Sequence, residues 1–158
     1  MHSSTQRFLD SAKTLGLNLN IVTHEESTRT ADEAAAAVGV EVGQIVKSLC
    51  FVVNGEPTAV LVSGKNRLDT KKLAKLCGVG NKKVKRADPD TVKSATGFTI
   101  GGVPPFGYVT DMPIYLDKDL NDYDQVWAAA GTPKSVFSIT PADLLTATKG
   151  QFVNIKQE

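Results

Sequence analysis

Residues 44–62 have the sequence QIVKSLCFVVNGEPTAVLV. Two runs rich in β-branched and apolar residues flank Asn54-Gly55, a pair that favours the central positions of a type I′ turn. The pattern predicts an antiparallel hairpin with one strand over 44–53 and the other over 58–62. The fold therefore contains a sheet, and the flanking segments decide its kind.

Short helices and strands alternate on both sides of this hairpin. Capping residues followed by periodic apolar positions, with a glycine after the last turn in most cases, predict five helices. These helices begin at Ser3 (with a Ser3-x-x-Gln6 capping box), Thr30, Asp69, Asp88 and Thr140. Further strands are predicted over 20–24, 84–87, 112–116, 125–130, 135–139 and 152–155. The alternation predicts a mixed α/β (α+β) fold in one domain, residues 1–158, with a strongly curved mixed sheet or β-barrel-like core flanked by short helices.

Composition excludes several classes of protein. The chain of 158 residues is 41% hydrophobic and 22% charged, as expected of a globular domain and not of a disordered or coiled-coil protein. No apolar run approaches the roughly 20 residues of a membrane span. The first residues also lack the apolar core of a signal peptide, which favours a cytoplasmic protein.

Histidine and cysteine are scarce. The two cysteines, Cys50 and Cys77, lie in apolar stretches, and His2 and His24 have no metal-ligand spacing, so we expect neither a metal nor a cofactor. A Ser-His-Asp or Cys-His nucleophile system would depend on His24 alone. Any hydrolysis is therefore expected to proceed without a protein nucleophile.

Positive charge is concentrated in one segment. The whole chain carries a net charge of +1, but residues 65–93 hold ten basic and three acidic residues, which gives this segment +7 and leaves −6 elsewhere. A solvated lysine-rich face is the common reason for such a segment. Contact with a phosphate backbone is the alternative.

Three segments stand out on chemical grounds. In the first strand of the predicted hairpin, Lys47 shares a face with Ile45, Leu49 and Phe51, so its ammonium reaches the rim, pairs with a carboxylate, or faces a ligand pocket. The loop GGVPPFG over 101–107 is stiffened by two prolines. Its free amides at 101, 102 and 103 either belong to a structural turn or form a cradle for a carbonyl oxygen. The turn AAGTP over 129–133 leaves room for a ligand or for close packing.

Four segments, taken in order, resemble the YbaK/prolyl-tRNA synthetase-associated domain family. The segments are TADEAA at 30–35, IVKSL at 45–49, GGVPPFG at 101–107 and AAGTP at 129–133. The resemblance runs from Phe8 to Ile155. It implies a mixed β-barrel-like fold and the activity of a free-standing aminoacyl-tRNA deacylase, which hydrolyses the ester of a mischarged tRNA in trans. A non-catalytic module that binds aminoacyl-tRNA or a synthetase is the alternative.

The resemblance also implies site residues. Lys47 matches the pocket lysine of the family, and Gly101 and Pro105 match its Gly-x-x-x-Pro loop, whereas Pro104 stands where the cysteine-releasing branch has Ser. In this interpretation Lys47 anchors the terminal phosphate or ribose, and the amides of Gly101 and Gly102 hold the ester carbonyl. The expected pocket-lining residues are Thr30, Ser63, Pro105 and Gly131, and the expected tRNA-binding residues are Lys71, Lys72 and Lys75. The implied partners are aminoacyl-tRNA and an aminoacyl-tRNA synthetase, with no membrane.

Overall fold

The computed structural model describes residues 2–158, which form five α-helices and eight strands. The helices are α1 (Ser3–Thr14), α2 (Ala31–Val38), α3 (Thr70–Cys77), α4 (Pro89–Thr96) and α5 (Pro141–Thr148). The strands are β1 (Ile21–Thr23), β2 (Val46–Val53), β3 (Glu56–Ser63), β4 (Val84–Arg86), β5 (Ile114–Asp117), β6 (Val126–Ala129), β7 (Ser135–Ile139) and β8 (Gln151–Val153). No helix within residues 2–158 has the length and apolar composition needed to cross a membrane.

The strands form two sheets. A mixed sheet has the order β4-β2-β3-β5-β8, and its centre is the predicted hairpin, whose turn residues Asn54 and Gly55 have φ angles of 50° and 83°. A smaller antiparallel sheet has the order β1-β7-β6. The two sheets meet at an isolated bridge between Ile45 and Trp127 and do not close into a barrel. The predicted mixed α/β class is confirmed.

The large sheet is covered on both faces. One face packs with the small sheet and α1 around the rings of Phe8, Phe106 and Phe137, which lie 4.9–6.3 Å apart between centroids. The other face carries Phe51 and packs against Leu73 of α3. Burial on both sides explains why β3 is apolar along almost its whole length.

Most helix ends lie where the caps predicted them. Thr30 caps α2 through a capping box with Glu33, Asp69 caps α3, and glycines in left-handed conformation follow both helices. The first helix differs, because the Nδ1 atom of His2 accepts from the Ser4 amide and Gln6 donates to Asp10. The predicted Ser3-x-x-Gln6 capping box is therefore wrong.

Candidate functional site

The site is an open cavity beside the N-terminal half of β2, and we call it the junction cavity. Its volume is about 330 Å³. It is lined by Arg29, Thr30, Ala31, Lys47, Ser48, Leu49, Cys50, Arg86, Val92, Ile100, Gly101 and Val103. The structure therefore brings together three predicted site residues from distant parts of the sequence, which are Thr30, Lys47 and Gly101.

Two further spaces adjoin the junction cavity. The small hollow, about 40 Å³, lies between α2, β2 and β6 and is lined by Thr28, Arg29, Thr30, Ala31, Ala34, Val38, Ile45, Val46, Lys47, Trp127, Ala128, Ala129 and Val136. The basic groove, about 550 Å³, is lined by Lys47, Leu49, Phe51, Arg67, Leu68, Thr70, Val84, Arg86 and Gln157. Among the residues described, Lys47 alone lines all three spaces.

Lys47 lies at the rim of its strand face. Its side chain is half-buried, and its Nζ atom donates to the backbone carbonyl of Asn66. Burial lowers the pKa of the Lys47 ammonium below its ordinary value, the charge of Arg67 adds to this effect, and Asp117 opposes it. The ammonium is thus a partly desolvated cation that faces open space, a setting that strengthens its attraction for an anionic or polar ligand.

A network of polar side chains holds Asn66, whose carbonyl accepts the hydrogen bond from Lys47. The side-chain amide of Asn66 donates to Asp117 Oδ2 at 2.8 Å and to Asp119 Oδ2 at 2.9 Å. Lys156 forms an ion pair with Asp119 at 2.9 Å. The hydrogen bond from Lys156, together with that from Asn66, lowers the pKa of the Asp119 carboxyl. These contacts hold the carbonyl that orients the Lys47 ammonium.

The N-terminus of α2 forms one wall of the junction cavity. Thr30 Oγ1 accepts from the Glu33 amide at 3.1 Å, and the Glu33 carboxylate accepts from the Thr30 amide at 3.1 Å. This reciprocal cap keeps Thr30 at the rim of the cavity and leaves its hydroxyl hydrogen free to donate. Thr30 is therefore positioned to contact a bound ligand.

The glycine loop contributes differently from its prediction. Gly101 has a φ of +95° and lines the junction cavity, and within residues 2–158 its amide and that of Val103 have no hydrogen-bond partner. The Gly102 amide instead donates to the Thr99 carbonyl at 3.0 Å. A Cβ atom at Gly102 would lie 2.7 Å from Thr132 Cα. The prediction that the Gly102 amide is a free donor is therefore wrong, because this glycine serves loop packing.

Three other predicted pocket residues lie outside the three spaces. Ser63 is fully buried, and its hydroxyl donates to the Gly43 carbonyl at 2.6 Å. Pro105 is buried in the loop, and Gly131 packs so closely on α1 that an added Cβ would lie 2.8 Å from the Ser4 carbonyl oxygen. The structure does not place these residues in the cavity; they hold the elements around it.

The fold adds residues to the site that the sequence patterns did not indicate. Arg29 and Arg86 line the junction cavity, and Arg67 lines the basic groove. The Ser48 hydroxyl lies buried on the cavity wall without a hydrogen-bond partner in the described part of the chain. Arg67 and Arg86 belong to the basic segment 65–93, whose charge was the available signal, but sequence alone does not indicate which of its cations face a cavity.

The three predicted tRNA-binding lysines lie on α3. Lys71 and Lys75 are exposed, in agreement with a common helix face. Lys72 is half-buried and donates to the Lys156 carbonyl at 2.7 Å and to Glu158 at 3.1 Å. Lys72 thus fastens the C-terminal residues to α3, and its ammonium already has partners.

Comparison with known proteins gives the family. The family model for the aminoacyl-tRNA editing domain matches residues 25–147. The protein named YwhH in Bacillus subtilis is 34% identical over 126 residues, which are 79% of this chain and 78% of that protein. A relative in Enterococcus faecalis, "Putative Cys-tRNA(Pro)/Cys-tRNA(Cys) deacylase EbsC", is 34% identical over 131 residues, 82% of this chain and 79% of the relative.

A solved structure agrees with this result over the whole chain. The "Crystal structure of a putative trans-editing enzyme for prolyl tRNA synthetase" superposes with a TM-score of 0.94 at 48% identity and covers 100% of this chain and 99% of its own. The chain belongs to the aminoacyl-tRNA editing domain family. It is therefore an aminoacyl-tRNA editing domain, the class of hydrolase that its sequence predicted.

Proposed function

We propose that this chain acts in trans as a deacylase that hydrolyses the ester between a small amino acid and the terminal ribose of a mischarged tRNA. The observation that carries the proposal is the position of Lys47 between the small hollow, the junction cavity and the basic groove. In this arrangement the amino acid side chain occupies the hollow and the ribose ester occupies the junction cavity. A synthetase that produces the mischarged tRNA is the expected partner.

The size of the small hollow supports a small amino acid. Its 40 Å³ corresponds to about three water-sized positions. Alanyl, seryl and cysteinyl side chains, which have one or two heavy atoms, fit this space, whereas leucyl and aromatic side chains exceed it. Half-buried Trp127 and buried Ala34 give the hollow an apolar wall, and Thr28, Thr30, Arg29 and Lys47 give it a polar one. Selection is therefore expected to depend on exclusion by size, at about 1–3 kcal/mol for each extra methylene.

The chemistry requires little from the protein. A water oxygen adds to the ester carbonyl carbon, the bond from that carbon to the ribose oxygen breaks, and the ribose oxygen takes up the proton that water loses. We propose that the amides of Gly101 and Val103 stabilise the developing oxyanion. Lys47 fixes the ribose or its phosphate, and a hydroxyl of the substrate ribose carries the proton.

A series of aminoacyl-tRNAs tests this assignment. Release of free amino acid is measured under multiple turnover for tRNAs charged with alanine, serine, cysteine, leucine and phenylalanine. Leucine extends three carbons beyond the alanine methyl, so we expect its kcat/KM to be at least about 100-fold lower than that of alanine. Equal rates for alanine and leucine would remove the small hollow from the mechanism. Tight binding of all five without release would identify a non-catalytic binding module instead.

A further inference from the structure

We propose that the basic groove binds the unpaired 3′ nucleotides of the RNA that precede the esterified ribose. The proposal rests on the proposed function and adds the part of the substrate that lies beyond the reacting ester. The residues that carry it are Lys47, Leu49, Arg67, Leu68, Val84 and Arg86.

The groove has a cluster of unpaired cations. Lys47, Arg67 and Arg86 line it, and no acidic side chain among the described residues does. The ion pairs within residues 2–158 join Lys72 to Glu158 and Lys156 to Asp119, so none neutralises the groove. Asp117 acts on Lys47 but does not line the groove, so the three cations still repel one another there, and binding of an anion relieves that repulsion. A chain of phosphates supplies negative charge at the spacing of successive nucleotides.

The floor of the groove is apolar. Half-buried Leu49, Leu68 and Val84 form it, and the Arg86 guanidinium lies 5.7 Å from the centroid of the Phe51 ring. This distance is a cation–π contact, and arginine guanidinium groups and aliphatic side chains both pack against unstacked nucleobases. Bases reach such a floor only when they are unstacked from a helix. The floor therefore selects single-stranded RNA over a duplex.

The groove continues the path of the proposed substrate. Lys47, Leu49 and Arg86 line both the groove and the junction cavity, so the two spaces are contiguous. The small hollow adjoins the junction cavity through Thr30 and Lys47. The order of hollow, cavity and groove matches the order of amino acid, terminal ribose and preceding nucleotides along a charged tRNA.

The lysines of α3 have a lesser part in this arrangement. Thr70 is the residue of α3 that lines the groove, and Lys72 is already held by Glu158 and the Lys156 carbonyl. Arg67 and Arg86 have no such partners within residues 2–158. We therefore assign contact with the 3′ nucleotides to these two arginines.

The test measures binding of a fluorescent single-stranded RNA that ends in CCA, by anisotropy, over a range of salt concentrations. The variants are Arg67→Gln and Arg86→Gln, and the matched control is Lys13→Gln, an exposed cation of α1 that lines none of the three spaces. We expect each groove variant to bind about tenfold more weakly at low salt. The slope of log K against log salt is expected to decrease by about 0.7 for each lost phosphate contact. The control keeps the wild-type affinity and slope.

A kinetic ratio gives a second readout. For Arg67→Gln we expect the preference in kcat/KM for aminoacyl-tRNA over the corresponding aminoacyl-adenosine to fall by about tenfold, because only the longer substrate reaches the groove. Unchanged RNA affinity and salt slope in both groove variants would overturn the proposal, as would equal binding of a blunt RNA hairpin. Failure of the proposed function has a different signature, in which wild-type protein binds the RNA but releases no amino acid.

Discussion

Replacement of Lys47 by methionine separates the chemical role of this residue from its structural one. Methionine keeps an unbranched apolar stem of similar length and removes the ammonium. The lost contact is the hydrogen bond from Nζ to the Asn66 carbonyl. The substitution also removes two contributions that destabilise the folded state, which are the partial burial of a cation and its repulsion by Arg67. Asn66 is only half-buried, so water can replace the lost donor at its carbonyl.

The expected change in stability is small. A hydrogen bond from a charged donor stabilises by about 1.5–3 kcal/mol, and removal of a partly desolvated cation near a like charge returns an amount of similar size. The free energy of unfolding of Lys47→Met should therefore lie within about 1 kcal/mol of wild type, which corresponds to about 2–4 °C in Tm for a chain of this length.

The sign of the pH dependence follows from the lowered pKa of Lys47. Between that pKa and the ordinary value of 10.5, the unfolded state binds more protons than the folded state, so the folded wild type gains stability as the pH rises. The variant lacks this group. Chemical denaturation at several pH values should show that the free energy of unfolding of the wild type rises relative to that of Lys47→Met as the pH approaches 10.5.

The expected change in activity is large. Loss of one preorganised charged contact to the terminal ribose or to the phosphate of that ribose should lower kcat/KM by about 100- to 1,000-fold, by analogy with loss of an oxyanion donor. The assay is release of radiolabelled alanine from alanyl-tRNA by variant protein whose folded fraction is checked by circular dichroism. Wild-type turnover in a folded Lys47→Met protein would refute the assignment, and a matched loss of stability and activity would show a structural role.

Three further predictions concern other parts of the chain. Gly101→Ala should lower kcat by at least about tenfold, because at this left-handed φ its Cβ would lie 3.0 Å from the Arg29 side chain that lines the junction cavity. Gly102→Ala should mainly lower Tm, by about 2–12 °C, because its Cβ meets the backbone of the neighbouring turn. Parallel kinetics and melting curves check both, and equal effects of the two changes would contradict the division of roles. Lys71→Gln with Lys75→Gln should leave Tm within about 2 °C and reduce the salt slope for tRNA binding by less than about 0.7, and a reduction of about 1.4–1.8, as expected for two full phosphate contacts, would assign the main RNA contact to α3. The lowered pKa of Asp119 means that its stabilising contribution, present above the ordinary value of 3.8, is lost as the pH falls through the folded-state pKa; acid unfolding of Asp119→Asn should lack that part of the transition.

Local sequence patterns predicted the fold well where one short segment contains all the interacting atoms. The Asn54-Gly55 turn and the Thr30 capping box depend on residues that are neighbours in sequence, and both lie where they were predicted. The cap of α1 failed because the His2 ring competes with Ser3 for the same role, which residue preferences do not anticipate.

The site was predictable only in part, for a physical reason. Lys47 was recognisable because a charged residue on an apolar strand face is unusual, and the family resemblance located Gly101. Gly102 and Gly131 look equivalent to Gly101 in sequence, but their roles depend on the Thr132 and Ser4 backbones that tertiary packing brings against them. The arginines of the cavity and groove likewise required the fold, because their strands and loops converge only after the sheet has formed.

The amount of free amino acid released per molecule of protein shows most directly whether the space around Lys47 catalyses ester hydrolysis. Wild-type protein is mixed with a large excess of tRNA mischarged with alanine, and released alanine is followed over time against spontaneous hydrolysis. We expect linear release far beyond one equivalent, with the Lys47→Met rate reduced at least about 100-fold. Tight binding of the charged tRNA with release no faster than the spontaneous rate would contradict catalysis at this site.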